Sequence, residues 1–160
     1  MILDIYALAA ALEASGLGAP MRGSVKGLYP AANVAHLFGL VLLVGAIGIL
    51  DLRIAGLGRA IPLAPLSRLL TPIAIGGLVV LAASGFLLFS ADAGPLVRSN
   101  TFRVKMALVA LALLNALAFR RQFRDFAADR EPPGWARAVA LASIAAWLGA
   151  GLLGRMIAYT

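Results

Sequence analysis

Four long apolar stretches constrain the fold of this 160-residue chain more than any other feature of its sequence. Charged residues make up only 13% of the chain, whereas they make up about 25% of a typical soluble domain. So few charges cannot cover a water-facing surface, and we expect apolar side chains to face lipid. A helix that crosses a bilayer needs about 20 mostly apolar residues. The stretches that meet this requirement are residues 30–50, 67–90, 101–119 and 135–158.

The predicted spans are joined by short loops, and short connections place consecutive helices side by side in opposite directions. We therefore predict an all-α integral membrane protein, with one membrane domain over residues 1–160 that forms a four-helix up-down bundle. Asp51 and Arg53 are assigned to the first loop, residues 51–66. Residues 2–15 precede the spans, and their pattern predicts a short amphipathic helix lying at the membrane interface. Its apolar face consists of Ile2, Ile5, Tyr6, Ala9 and Leu12.

The distribution of basic residues predicts the orientation in the membrane. The first and third loops, 51–66 and 120–134 with flanking Arg68 and Arg137, hold eight of the 14 Lys and Arg residues. Because basic residues concentrate on the cytoplasmic side, we expect these loops in the cytoplasm and both termini outside. The net charge of +7 is explained in the same way, and no basic patch interleaved with aromatic residues indicates nucleic-acid binding.

Ionisable residues inside a span are costly and often mark a functional site. His36, the only histidine, lies six residues after the start of the first span, a depth of roughly 9 Å at 1.5 Å per residue. Lys105 lies roughly 6 Å into the third span by the same rise. In an up-down bundle these two spans enter from the same side, so both residues lie at a similar depth. Asn33, one turn before His36, shares its helix face.

A neutral imidazole is a good ligand for haem iron, and a lysine amine can also ligate if burial keeps it deprotonated. We therefore predict that His36 and Lys105 bind haem b, with His36 on the iron, while Arg103 and Arg155 hold propionates and Asn33 orients the site. In the competing interpretation, the basic side chains only reach out to lipid headgroups and His36 bonds to a neighbouring helix. A zinc site is disfavoured, because the predicted spans hold one histidine, no cysteine and no carboxylate.

Several local patterns occur in the order found in a known superfamily. They are His36, Gly45, Asp51-Leu52-Arg53, Ser67-Arg68-Leu69-Leu70-Thr71-Pro72 and Phe102-Arg103-Val104-Lys105-Met106-Ala107-Leu108-Val109. Over residues 30–115 this order resembles the haem-binding, four-helix membrane protoporphyrinogen IX oxidases and their relatives in the copper-resistance protein D superfamily. The stretch Leu28-Tyr29-Pro30, Asn33, His36 and Asp51-Leu52-Arg53 resembles an uncharacterised bacterial inner-membrane family more closely still. The resemblance to the oxidases implies that His36 and Lys105 are the functional pair.

Three functions are compatible with these patterns. The first is a haem-b-binding redox protein of the bacterial inner membrane, whose partner is a quinone, a porphyrin or another redox protein. The second is a non-enzymatic accessory or assembly subunit of a larger membrane complex, in which glycine-rich helix faces pack against a partner. The third, a small-molecule or metal transporter, would need to oligomerise, because four short-looped helices leave little room for alternating access. A symmetric dimer could also share one haem between two copies of His36.

Overall fold

A computed structural model of the protein describes residues 4–122 and 132–159, and all regular elements within these residues are helical. Four helices are long and apolar enough to cross a membrane. The elements are α1 (Ile5–Ala14), a π-turn (Pro20–Ser24), α2 (Leu28–Ala55), α3 (Leu63–Ala91), α4 (Ala93–Arg98), α5 (Asn100–Gln122), α6 (Gly134–Met156) and a final 3-10 turn (Ile157–Tyr159). The predictions that concern residues 2–3 and most of the third loop, residues 123–131, lie outside the described residues.

The first long helix ends later than its hydropathy predicts. α2 continues through Asp51 and Arg53 to Ala55, and both of those side chains are buried. The assignment of Asp51 and Arg53 to the first loop is therefore wrong. What ends the helix is Gly56, whose left-handed conformation (φ 110°) directs its N–H at the carbonyl of Arg53; glycine adopts this conformation without a steric penalty.

α2 is the central helix, because it packs against α3 on one side and α6 on another, while α5 packs on α6. The backbones of α2 and α3 come very close at two glycines: a Cβ atom on Gly77 would lie 2.6 Å from the backbone nitrogen of Leu43 and 2.9 Å from the carbonyl oxygen of Gly39. Small residues allow this kind of close helix packing. The main buried apolar cluster lies beside this contact and consists of Leu43, Ala46, Leu70, Ala74, Ala112 and Trp147.

The helices α3 and α5 follow each other along the chain through α4 but do not pack closely on one another. They meet at the connection, where the rings of Phe89 and Phe102 stack with their centroids 5.6 Å apart. Within the described part of α5, Ala112 is the only buried residue. Most of the α5 surface is therefore left for lipid or for a partner.

The N-terminal segment covers the end of the bundle at which α2 begins. Ala9 of α1 packs on Ala93 and Val97 of α4, and the Gly94 N–H donates a 2.6 Å hydrogen bond to Glu13 Oε1. Met21 in the following turn is buried against both α2 and α3. The segment is thus fixed to the bundle by a short polar contact as well as by apolar packing.

Candidate functional site

The His36 side chain lies between α2 and α3, two turns of helix from the N-terminal end of α2. Its Nδ1 atom is 3.0 Å from the hydroxyl oxygen of Ser84. Ser84 is a buried residue, with 4% of its surface exposed. Ser84 in turn donates its proton to the carbonyl of Val80 one turn earlier, at 2.6 Å. A serine inside a helix commonly bonds to the carbonyl four residues before it. Three polar groups therefore form a short chain inside an otherwise apolar interface.

This chain fixes the tautomer of His36. A serine hydroxyl has one proton, and the 2.6 Å approach of two oxygens places that proton between Ser84 and Val80. The Ser84 oxygen must then accept from His36, so we assign the imidazole proton to Nδ1. Because Nδ1 is the donor, Nε2 carries the lone pair and is the atom able to bind a metal ion or accept a proton.

A glycine on the neighbouring helix makes room for the imidazole. A Cβ atom added to Gly85 would lie 3.0 Å from Cε1 and 3.4 Å from Nδ1 of His36. The first of these distances is shorter than nearly all real Cβ contacts. The absence of a side chain at Gly85 therefore allows the ring to lie this close to α3.

Lys105 lies on α5 and extends over α6, where a second glycine makes room for it. A Cβ atom on Gly154 would lie 3.2 Å from Nζ and 3.4 Å from Cε of Lys105. Lys105 is half-buried, as is His36, and the two are close enough for an electrostatic interaction. The structure thus places the two ionisable residues, from helices α2 and α5, within electrostatic range of each other.

The three other predicted site residues have exposed side chains. Arg103 donates through Nε and Nη2 to the carbonyl of Val97 at the end of α4, at 3.1 and 2.9 Å. Arg155 donates to the Tyr159 hydroxyl at 2.6 Å and lies over the same ring. Asn33 lies on α2, one turn before His36. Of these three residues, Arg155 directly follows Gly154, the glycine that lies against Lys105.

The long helices hold a carboxylate that the predicted spans did not include, because Asp51 belongs to α2 and is buried. Across residues 4–122 and 132–159, no three or more His, Cys, Asp or Glu side chains are grouped so that they could hold a metal ion. Asp51 lies 15 residues after His36 on α2, which corresponds to about 22 Å along the helix axis.

Sequence reasoning did not single out Ser84, Gly85 and Gly154 as parts of the site. Ser84 carried a usable signal, since it is a polar residue inside a span. The two glycines carried none, because glycines occur throughout the long helices and nearly all can be explained by helix packing.

Comparisons of the chain with known protein families, with curated proteins and with solved structures found no match. The functional argument therefore depends on the geometry around His36 and Lys105.

Proposed function

We propose that the protein is a membrane-embedded redox protein that binds haem b through His36, near the outward face of the bacterial inner membrane. In this proposal α2, α3, α5 and α6 cross the bilayer as an up-down bundle with both termini outside. At 28 residues, α2 is roughly 42 Å long, which exceeds the hydrocarbon core of about 30 Å. His36, eight residues from the start of α2, then lies inside the hydrocarbon region near its outer edge.

The observation that carries this proposal is the hydrogen-bond chain from His36 through Ser84 to Val80. Histidines that bind metal ions nearly always donate their second ring N–H to a fixed acceptor, which orients the ring and strengthens the ligand. His36 has such an acceptor on Nδ1, and its Nε2 lone pair remains for iron. The electrostatic interaction with Lys105 adds a second ionisable group to the site.

The donor set fits a haem better than a bare metal ion. Haem iron takes four ligands from the macrocycle and needs only one or two from the protein, so His36 alone or with Lys105 suffices. Haem would supply a one-electron redox couple to the site. Lys105 is either the second axial ligand or the group that holds a proton next to the imidazole, and Arg155 and Arg103 would pair with the propionates. Asn33 would orient the haem from the next turn of α2.

A titration with haemin tests this function. Wild-type protein in mild detergent should show a saturable change in the visible spectrum with one haem per site. His36→Ala should weaken binding by more than about 100-fold, because even the hydrogen-bond partners of metal ligands contribute about 10–100-fold. The matched control is Ser67→Ala, which removes a hydroxyl from α3 where it contacts only Thr71 of the same helix at 3.3 Å. Equal affinities in wild type and His36→Ala would contradict the proposal.

The alternative function is a non-enzymatic accessory or assembly subunit. The surface of α5 supports it, since about half of its described residues are exposed and only Ala112 is buried, which leaves a face available for another protein. Large apolar side chains such as Leu111, Leu114 and Leu117 are more than half exposed there. Two results together would favour this alternative. The protein would fail to bind haemin but co-purify in a defined complex, and substitutions on this face would release it from that complex.

A further inference from the structure

A second group of polar side chains is buried between α2 and α6, toward the opposite end of the bundle from His36. Asp51 of α2 is 9% exposed, and Ser143 and Trp147 of α6 are each 3% exposed. The hydroxyl of Ser143 hydrogen-bonds with the Asp51 carboxyl group. Aspartate is almost never buried to this degree unless it is paired, so this position requires an explanation.

Two atoms in this group have no hydrogen-bond partner among the residues that the structure describes. They are Oδ2 of Asp51 and Nε1 of Trp147, and both are inaccessible to solvent. An ionised carboxylate can accept about four hydrogen bonds, so one that is buried with an unpartnered oxygen keeps most of its desolvation penalty. A protonated carboxyl group carries no net charge and has a much smaller penalty. The surroundings of Asp51 therefore favour the protonated form over the ionised form.

Among the described residues of α2 and α6, the charged groups nearest to Asp51 in sequence do not change this conclusion. Arg53, two residues after Asp51 on α2, donates from Nε to the carbonyl of Ile61 and from Nη2 to the carbonyl of Arg59, at 2.7 and 3.0 Å. Arg53 thus holds the loop that follows α2. On α6, Arg137 lies six residues before Ser143, about 9 Å along the axis. Around Trp147, α3 and α5 contribute apolar side chains, namely Leu70, Ala74 and Ala112.

We propose that Asp51 is a proton-binding site within the bundle. Its carboxyl group takes up and releases one proton at the end of the bundle where the loop over residues 56–62 lies. On uptake, a proton from water binds the unpartnered oxygen Oδ2, an O–H bond forms, and the charge of the group changes from −1 to zero. On release the O–H bond breaks and the proton returns to water. Ser143 orients the carboxyl group through the other oxygen. This site does not depend on haem binding at His36.

Infrared difference spectroscopy tests the site. Protein labelled with ¹³C at the aspartate carboxyl carbon is compared with unlabelled protein in detergent, in H₂O and in D₂O. At about pH 5, where an exposed aspartate is still largely ionised, we expect a protonated carboxyl C=O band that shifts with both isotopes. Asp51→Asn should remove this band, and the matched control Asp92→Asn, at an exposed aspartate, should leave it unchanged. The band should also fade reversibly as the pH is raised.

Ser143→Ala gives a second measurement on a variant that keeps the carboxyl group. Loss of its hydroxyl should shift the frequency of the Asp51 band, because a hydrogen bond to the carboxyl group changes the strength of the C=O bond. The proposal is overturned if wild-type protein shows no protonated aspartate band at about pH 5, or if the band survives in Asp51→Asn. It is also overturned if the band does not change up to the highest pH at which the protein stays folded, since a proton that is never released is not exchanged.

Discussion

Gly77→Ala is expected to lower the free energy of unfolding by about 1 to 3 kcal/mol, the range found when a methyl group is forced into a closely packed site. The new Cβ atom would lie 2.6 Å from the nitrogen of Leu43 and 2.9 Å from the oxygen of Gly39. Both are backbone atoms, so no side-chain rotation relieves the clash. Only a separation of α2 from α3 does, and this separation also removes apolar contacts from the cluster around Leu43.

The matched control for this prediction is the adjacent residue. A Cβ atom on Gly76 would meet nothing within 4 Å, so Gly76→Ala should leave stability unchanged or raise it by up to about 1 kcal/mol through helix propensity. Both variants should be unfolded in the same detergent, with helix content followed by circular dichroism. Equal stabilities of the two variants would show that the close contact between α2 and α3 does not hold the fold together.

Ser84→Ala is expected to weaken haemin binding by about 10–100-fold, as is typical when the hydrogen-bond partner of a metal-bound histidine is removed. Without the hydroxyl, Nδ1–H of His36 loses the acceptor at 3.0 Å, and the ring can rotate or change tautomer. Gly85→Ala should weaken binding as well, because its new methyl group would lie 3.0 Å from Cε1 and displace the ring. Haemin titrations in a single detergent give the affinities.

Two controls on α3 separate these effects from a general loss of structure. Ser67→Ala removes a hydroxyl far from His36, and Gly76→Ala adds a methyl group in open space. Both should bind haemin like the wild type. If Ser84→Ala also binds with wild-type affinity, the hydrogen-bond chain does not orient the imidazole, and the assignment of the lone pair to Nε2 loses its support.

The four long helices could be predicted from the sequence because their apolar composition is a property of each segment alone. The residues at which these helices end could be predicted less accurately. The apolar run of the first span stops at Asp51, but α2 ends only at Gly56, where the backbone turns left-handed. Asp51 is buried on the side of Ser143 of α6, and the sequence does not show which helices are neighbours.

The candidate site was predicted in part. His36 and Lys105 stood out because an ionisable group in a span is rare, and their shared depth followed from counting residues along two helices. The groups that position them did not stand out, since Gly85 and Gly154 resemble every other helix glycine until the neighbouring side chain is known. The prediction that helices consecutive in the chain lie side by side also does not extend to α3 and α5, which are joined through α4 and do not pack closely.

The most direct test of the haem proposal is the reduced-minus-oxidised visible spectrum of protein purified in mild detergent from cells well supplied with haem. Wild-type protein should show a Soret band and sharp α and β bands on reduction, and His36→Ala should show neither. Lys105→Met should keep the bands at unchanged positions if the lysine handles a proton, and should shift them if it is the second ligand. A featureless wild-type spectrum, or identical bands in His36→Ala, would contradict haem binding at His36.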